Sequence, residues 1–139
     1  MAQKIQTAMI IDDEIIDQKQ YKRVMKRSGL VEEVLTFSYA EDAFEYLKAN
    51  TKATIDVIFL DINMPRMNGF EFLEKVSKEL HREVAQVVLI MLTTSIDPRD
   101  RERARTFDLV RDFINKPLEF SHVEHAADLV AEARGAVPS

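Results

Sequence analysis

Two hydrophobic periods alternate along the chain. Short, nearly continuous apolar runs occur at residues 7–11 (TAMII), 33–37 (EVLTF), 55–60 (IDVIFL), 86–92 (QVVLIML) and 112–115 (DFIN). Runs of this length, rich in β-branched and aromatic residues, are the pattern of strands covered on both faces. Between them the apolar positions recur at helical spacing. Residues 15–28 place Ile15, Ile16, Tyr21, Val24 and Met25 at such intervals, and Gly29 supplies a stop. Ser38-x-x-Glu41 has the form of a capping box before Phe44 and Leu47, and Asn68-Gly69 precedes Phe70, Leu73, Val76 and Leu80. Asp97-Pro98 is a start signal for a helix to about Phe107. Ser121-x-x-Glu124 predicts the cap of a last helix that Gly135 ends.

Strand and helix therefore alternate five times. Strands separated by helices must run parallel, with right-handed crossovers and helices on both sheet faces. The predicted fold is α/β, a doubly wound (βα)5 flavodoxin-like sheet of strand order 2-1-3-4-5. Its switch point falls between the first and third strands. That topology sets the Asp12-Asp13 turn beside Asp61, which ends the third apolar run some fifty residues later.

Composition narrows the function classes. The 139 residues suit one domain with a substantial core, and no repeat, linker or low-complexity tract divides them, so a single domain over 1–139 without an output domain is expected. Nineteen basic against 24 acidic residues, a net charge of -5, disfavours nucleic acid and anionic membranes as partners. The absence of cysteine rules out disulfides and thiolate metal sites. No apolar stretch is long enough to span a bilayer, and the opening residues do not form a signal peptide, which predicts a cytoplasmic protein.

The chemistry gathers at one strand edge. Asp12, Asp13 and Asp61 cannot all stay ionised together without a raised pKa or a cation. Oxygen-only ligands without His or Cys favour Mg2+. Alone, Asp12-Asp13-Glu14 also reads as a helix N-terminus whose dipole favours acids. Lys116, before Pro117, and Thr93, after the fourth run, are ordinary loop and strand-end residues singly; together they fall on the same carboxyl edge.

The set Asp12, Asp13, Asp61, Thr93 and Lys116, with Met64-Pro65, Met67 and Gly69, resembles the receiver domains of two-component response regulators across essentially the whole chain. The resemblance implies a stand-alone, chemotaxis-regulator-like protein that takes a phosphoryl group on Asp61 from a sensor histidine kinase or histidine phosphotransfer protein. It implies a signalling protein rather than an enzyme with a substrate of its own. Asp13 and Asp61 would bind Mg2+ directly, Asp12 mostly through water, and the Asn63 backbone carbonyl would complete the set. Thr93 and Lys116 would hold phosphoryl oxygens. Movement of Thr93 would then let an aromatic three residues before the lysine, Phe113, turn inward. Lacking a hydroxyl, Phe113 is expected to lie inward more of the time. Asn63 and Ser95 occupy the two positions that set self-hydrolysis in the family.

The first helix carries Lys19, Lys22, Arg23, Lys26 and Arg27, a solvated face or a kinase-docking one. The fourth helix–fifth strand–fifth helix surface would meet a downstream protein, or a second copy in a homodimer. An unphosphorylated interaction module is the alternative, although the intact acidic set argues against it. A haloacid-dehalogenase-type phosphatase needs a second Asp two residues past its nucleophile, where this chain has Asn63. A nucleotide-binding protein lacks support because no Gly-rich phosphate loop occurs.

Overall fold

The computed structural model describes residues 4–50 and 55–135. The elements run β1 (Ile5–Ile11), α1 (Ile15–Ser28), β2 (Val31–Phe37), α2 (Ala40–Ala49), β3 (Val57–Leu60), α3 (Gly69–Glu79), β4 (Val88–Thr93), α4 (Pro98–Arg105), β5 (Val110–Asn115) and α5 (Phe120–Ala133). All strand pairs are parallel and the order is β2-β1-β3-β4-β5. The predicted α/β architecture is the one found.

The continuous apolar runs are explained by two cores, one on each face of the sheet. Successive strand residues point to opposite faces. Met9, Ile11, Ile58, Leu60, Leu89 and Met91 pack with α2 and α3. Their neighbours Ala8, Ile10, Val57, Phe59, Ile90 and Leu92 pack with α1 and α5. A strand covered on both sides has no position for a polar residue, so the central strands read as unbroken apolar segments.

Helix caps divide into those written locally and those set by tertiary contacts. Asn68 and Glu71 form a reciprocal capping box, with bonds of 2.9 and 3.0 Å. Asp97 accepts from the Arg99 amide at 2.9 Å, with Pro98 following. The two predicted serine boxes do not form. The Ser38 hydroxyl instead accepts from Gln18 Nε2 at 3.1 Å, Glu41 pairs with Arg66, and Tyr39 is the N-cap of α2. Helix α5 starts earlier than Ser121 predicts: Glu119 is its N-cap, and the Glu119 amide donates to His122 Nδ1 at 3.0 Å.

Helix α1 also takes a different phase. Ile15 and Ile16 are exposed, and the buried side chains are Gln18, Tyr21 and Met25. Smaller differences lie at the ends of elements. Strands β1, β2 and β5 begin two residues earlier than the apolar runs, while β4 begins two later, at Val88, and runs on through Thr93. Helix α4 stops at Arg105.

Candidate functional site

The backbone ladders run one residue past the strand ends, which gathers the polar residues on a common rim. The Asp12 amide donates to the Phe37 carbonyl at 3.0 Å and the Asp61 amide to the Ile11 carbonyl at 3.0 Å; the Lys116 amide donates to the Thr93 carbonyl at 2.8 Å. One oxygen from each of Asp12, Asp13 and Asp61 lies within 4.8 Å of the other two. Asp12 and Asp61 are 1% and 6% exposed, and Asp13 is half-buried. Helix α3 starts against the same rim. The Gly69 amide donates to the Ile62 carbonyl at 2.8 Å, and a Cβ at Gly69 would stand 2.5 Å from the Asp61 carbonyl oxygen.

Lys116 enters from the other side. Its ammonium donates to Asp12 Oδ2 at 2.9 Å and to Asp17 Oδ2 at 2.8 Å, and stands 3.8 Å from Asp61 Oδ1. Burial alone would lower the Lys116 pKa; the hydrogen bonds to Asp17 and Asp12 and the charge of Asp61 reverse that and hold it above its ordinary value. The Tyr21 hydroxyl donates to Asp12 Oδ2 at 3.1 Å, and burial, reinforced by the Asp12 charge, raises the Tyr21 pKa. The Asp12 main chain is also held, because Gln18 Nε2 donates to its carbonyl at 2.6 Å.

Asp61 is the uncompensated member. Burial, and then the negative charge of Asp12, push its carboxyl up to about 7, with Lys116 opposing. Lys116 shares one ammonium among Asp12, Asp17 and Asp61, and Asp13 adds a further carboxylate nearby, which leaves excess negative charge at the rim. A hard divalent cation would neutralise that charge, and the side-chain donors here are all oxygen, which is what Mg2+ takes. The residues fit such an ion.

Comparison with known proteins places this arrangement. The model of the response regulator receiver domain matches residues 8–128. The chain belongs to that family. Among curated proteins it is similar to hybrid signal transduction histidine kinase C of Dictyostelium discoideum, 31% identical over 116 residues covering 80% of this chain and 9% of the kinase. It is also similar to hybrid kinase B of that organism, 25% identical, covering 88% of this chain and 6% of the kinase. A response regulatory protein of Vibrio cholerae is 35% identical over 58% of this chain and 33% of its own length. The chain thus spans a third or less of these relatives. Among solved structures, a two-component response regulator from Cytophaga hutchinsonii superposes with a TM-score of 0.88 at 26% identity, over 94% of this chain and 99% of that one. The chemotaxis response regulator CheY4 of Vibrio cholerae gives 0.71 at 26% identity, over 91% and 99%.

The receiver brings most of the predicted site residues to one edge. Asp12, Asp13, Asp61 and Lys116 meet directly. Thr93 is fully buried at the end of β4, its backbone bonded to Lys116 and its Oγ1 accepting from the Ser95 amide at 3.1 Å. Asn63 is exposed in the loop two residues past Asp61. Phe113 is half-buried on β5, with the Arg101 guanidinium 4.7 Å above its ring. Ser95 does not stand free: its hydroxyl bonds Asp100 of α4.

Two residues of the receiver site escaped the sequence reading. Asp17 and Tyr21 follow Asp13 at successive intervals of four, so one stripe of α1 overlooks the pocket. That spacing is the signal that would have found them. A third group lies at the opposite end of the sheet. Buried Asp56 accepts from the Gln6 and Thr7 amides at 2.6 and 3.2 Å and pairs with Arg134.

Proposed function

We propose that this receiver is a stand-alone response regulator that accepts a phosphoryl group on Asp61 from a histidine kinase or histidine phosphotransfer protein. The observation that carries the reading is the convergence of the Asp12, Asp13 and Asp61 carboxylates within 4.8 Å, with the Lys116 ammonium 3.8 Å from Asp61. The superposition on the two-component response regulator from Cytophaga hutchinsonii, with a TM-score of 0.88, supports the response-regulator part of the reading.

In the transfer, an Asp61 carboxylate oxygen bonds to phosphorus as the bond from phosphorus to the donor imidazole nitrogen breaks. The nitrogen keeps the electron pair and takes up a proton. The nucleophile must be ionised, yet burial pushes Asp61 up to about 7. Asp13, Asp61 and the Asn63 carbonyl would hold Mg2+, with Asp12 through water, and the ion would supply positive charge that keeps Asp61 ionised and offsets charge on the transferring group. Lys116 and the Thr93 hydroxyl take phosphoryl oxygens. The protein's contribution is position and charge compensation, as phosphoryl transfer requires.

The added charge on Asp61 then draws Lys116 and Thr93 inward. Thr93 follows Leu89 and Met91 on the α2–α3 face of the sheet, so its movement changes the packing beneath α4. Phe113 responds, and the α4–β5–α5 surface is altered for a downstream protein or a second copy. Asn63 gives no carboxylate to catalyse hydrolysis, which sets the chain apart from aspartate-nucleophile phosphatases. Neither the net charge nor the helices favour nucleic acid or membrane: among the described residues no helix is long and apolar enough to cross a bilayer. A cytoplasmic place, where histidine kinases present their phosphorylated domains, fits this role.

Beryllofluoride, which mimics an acyl phosphate, tests the proposal. It should bind with Mg2+ and fail to bind in EDTA. Binding that ignores the metal would overturn the assigned site.

A further inference from the structure

Lys116 has three carboxylates around its ammonium, and it is not hydrogen-bonded to the one that the proposed chemistry uses. The short contacts are Asp17 Oδ2 at 2.8 Å and Asp12 Oδ2 at 2.9 Å; Asp61 Oδ1 stands at 3.8 Å, beyond a hydrogen bond. Asp17 comes from the first turn of α1, whereas the three carboxylates of the acidic rim lie in the loops that follow β1 and β3. The same helix holds the segment after the lysine, because Gln20 Nε2 donates to the Leu118 carbonyl at 3.0 Å. Tyr21, one turn on from Asp17, gives the ammonium an aromatic face at 5.9 Å. Helix α1 therefore grips both the side chain of Lys116 and the loop that follows it.

We infer that Asp17 is a positioning residue that holds Lys116 toward α1 and away from Asp61 in the unphosphorylated receiver. This rests on the reading of Asp61 as phosphoacceptor. A cation held at the rim would compensate the Asp12 charge and weaken its hold on the ammonium, whereas Asp17 lies outside the rim and keeps its claim. A phosphoryl group on Asp61 brings roughly two negative charges. Lys116 can serve it only by lengthening or leaving the Asp17 bond. Asp17 thus competes with the phosphoryl group for one ammonium and sets a threshold for activation. Its carboxylate is about one-third exposed, so the contribution is that of a partly screened ion pair.

The test is the affinity of beryllofluoride in excess Mg2+, measured by calorimetry, with Lys116 followed by NMR of its 15N-labelled ammonium. Asp17→Asn should bind beryllofluoride about two- to fivefold tighter than the wild type, the range of a partly exposed ion pair. Asp17→Glu, which keeps the charge, should return toward the wild type. In metal-free protein the Lys116 ammonium resonance should move in Asp17→Asn and return in Asp17→Glu, which loss of helix stability alone would not produce. Unchanged or weaker binding in Asp17→Asn, with normal wild-type binding, overturns the competition. Wild-type protein that does not bind beryllofluoride, or Asp61→Asn that binds it as well as the wild type, overturns the acceptor reading and this inference with it.

Discussion

Gly69 and Asp61 are in contact through their backbones: a Cβ on Gly69 would lie 2.5 Å from the Asp61 carbonyl oxygen and 3.0 Å from the Ile62 Cα. Both obstacles are main chain, so no side-chain rotation relieves them. The glycine lets the first turn of α3 close on the loop that carries the acceptor, and the Gly69 amide bond to the Ile62 carbonyl fixes that approach.

Gly69→Ala should therefore displace the loop after Asp61. Expected are a loss of about 1–3 kcal/mol in urea denaturation and a fall of about tenfold or more in labelling by a small phosphodonor. Unchanged labelling would separate the glycine from the site.

The pH dependence of stability follows from Asp61. Its folded pKa, pushed up to about 7, exceeds the ordinary carboxylate value of 3.8. The folded state therefore holds the proton more tightly than the unfolded chain. The associated stability is fully present below about pH 4 and is lost as pH rises through about 7. In EDTA, the wild type should lose on the order of 2 kcal/mol more than Asp61→Asn between pH 5 and pH 8 in urea denaturation. Mg2+ at pH 8 should restore the wild type and leave Asp61→Asn nearly unmoved. Parallel pH profiles for the two proteins would contradict the raised pKa.

Asp56 supports the fold away from the chemistry. It satisfies two β1 amides and faces Arg134 from a buried position. Asp56→Ala strands those donors and should cost about 2–4 kcal/mol, while folded protein keeps its labelling rate. A loss of labelling in fully folded protein would tie Asp56 to the site.

Phe113 is neither fully inward nor free. Arg101 covers its ring and, with Ile96 and Asn115, lines a cavity of about 270 Å³ beside α4. Arg101→Ala removes a contact worth about 0.5–1 kcal/mol and should tighten beryllofluoride binding about two- to fivefold if the ring moves on activation. Equal affinities would detach Phe113 from the switch.

The parts of this receiver legible in the sequence are those governed by local or repeated chemistry. Burial on both faces makes β1, β3 and β4 apolar throughout, and the forced parallel crossovers then bring Asp12, Asp13 and Asp61 together without any contact being known. The Asn68 and Asp97 caps involve residues two or three apart, so spacing suffices. Ser38 shows the limit. Its hydroxyl belongs to Gln18, twenty residues earlier, and no local pattern announces that. The phase of α1 was similarly hidden, since Ile15 and Ile16 fit a helical period but the core takes Gln18, Tyr21 and Met25. Gln18 is buried because the Asp12 carbonyl and Ser38 satisfy its amide. The Asp56–Arg134 and Asp17–Lys116 pairs span most of the chain and appear only once it is folded.

The most direct test is covalent labelling at Asp61. With Mg2+ and a small-molecule phosphodonor, the wild type should gain one acid-stable, base-labile phosphoryl group, mapped to Asp61 by mass spectrometry. Asp61→Asn and EDTA-treated wild type should gain none. Equal labelling of Asp61→Asn would contradict the account at its centre.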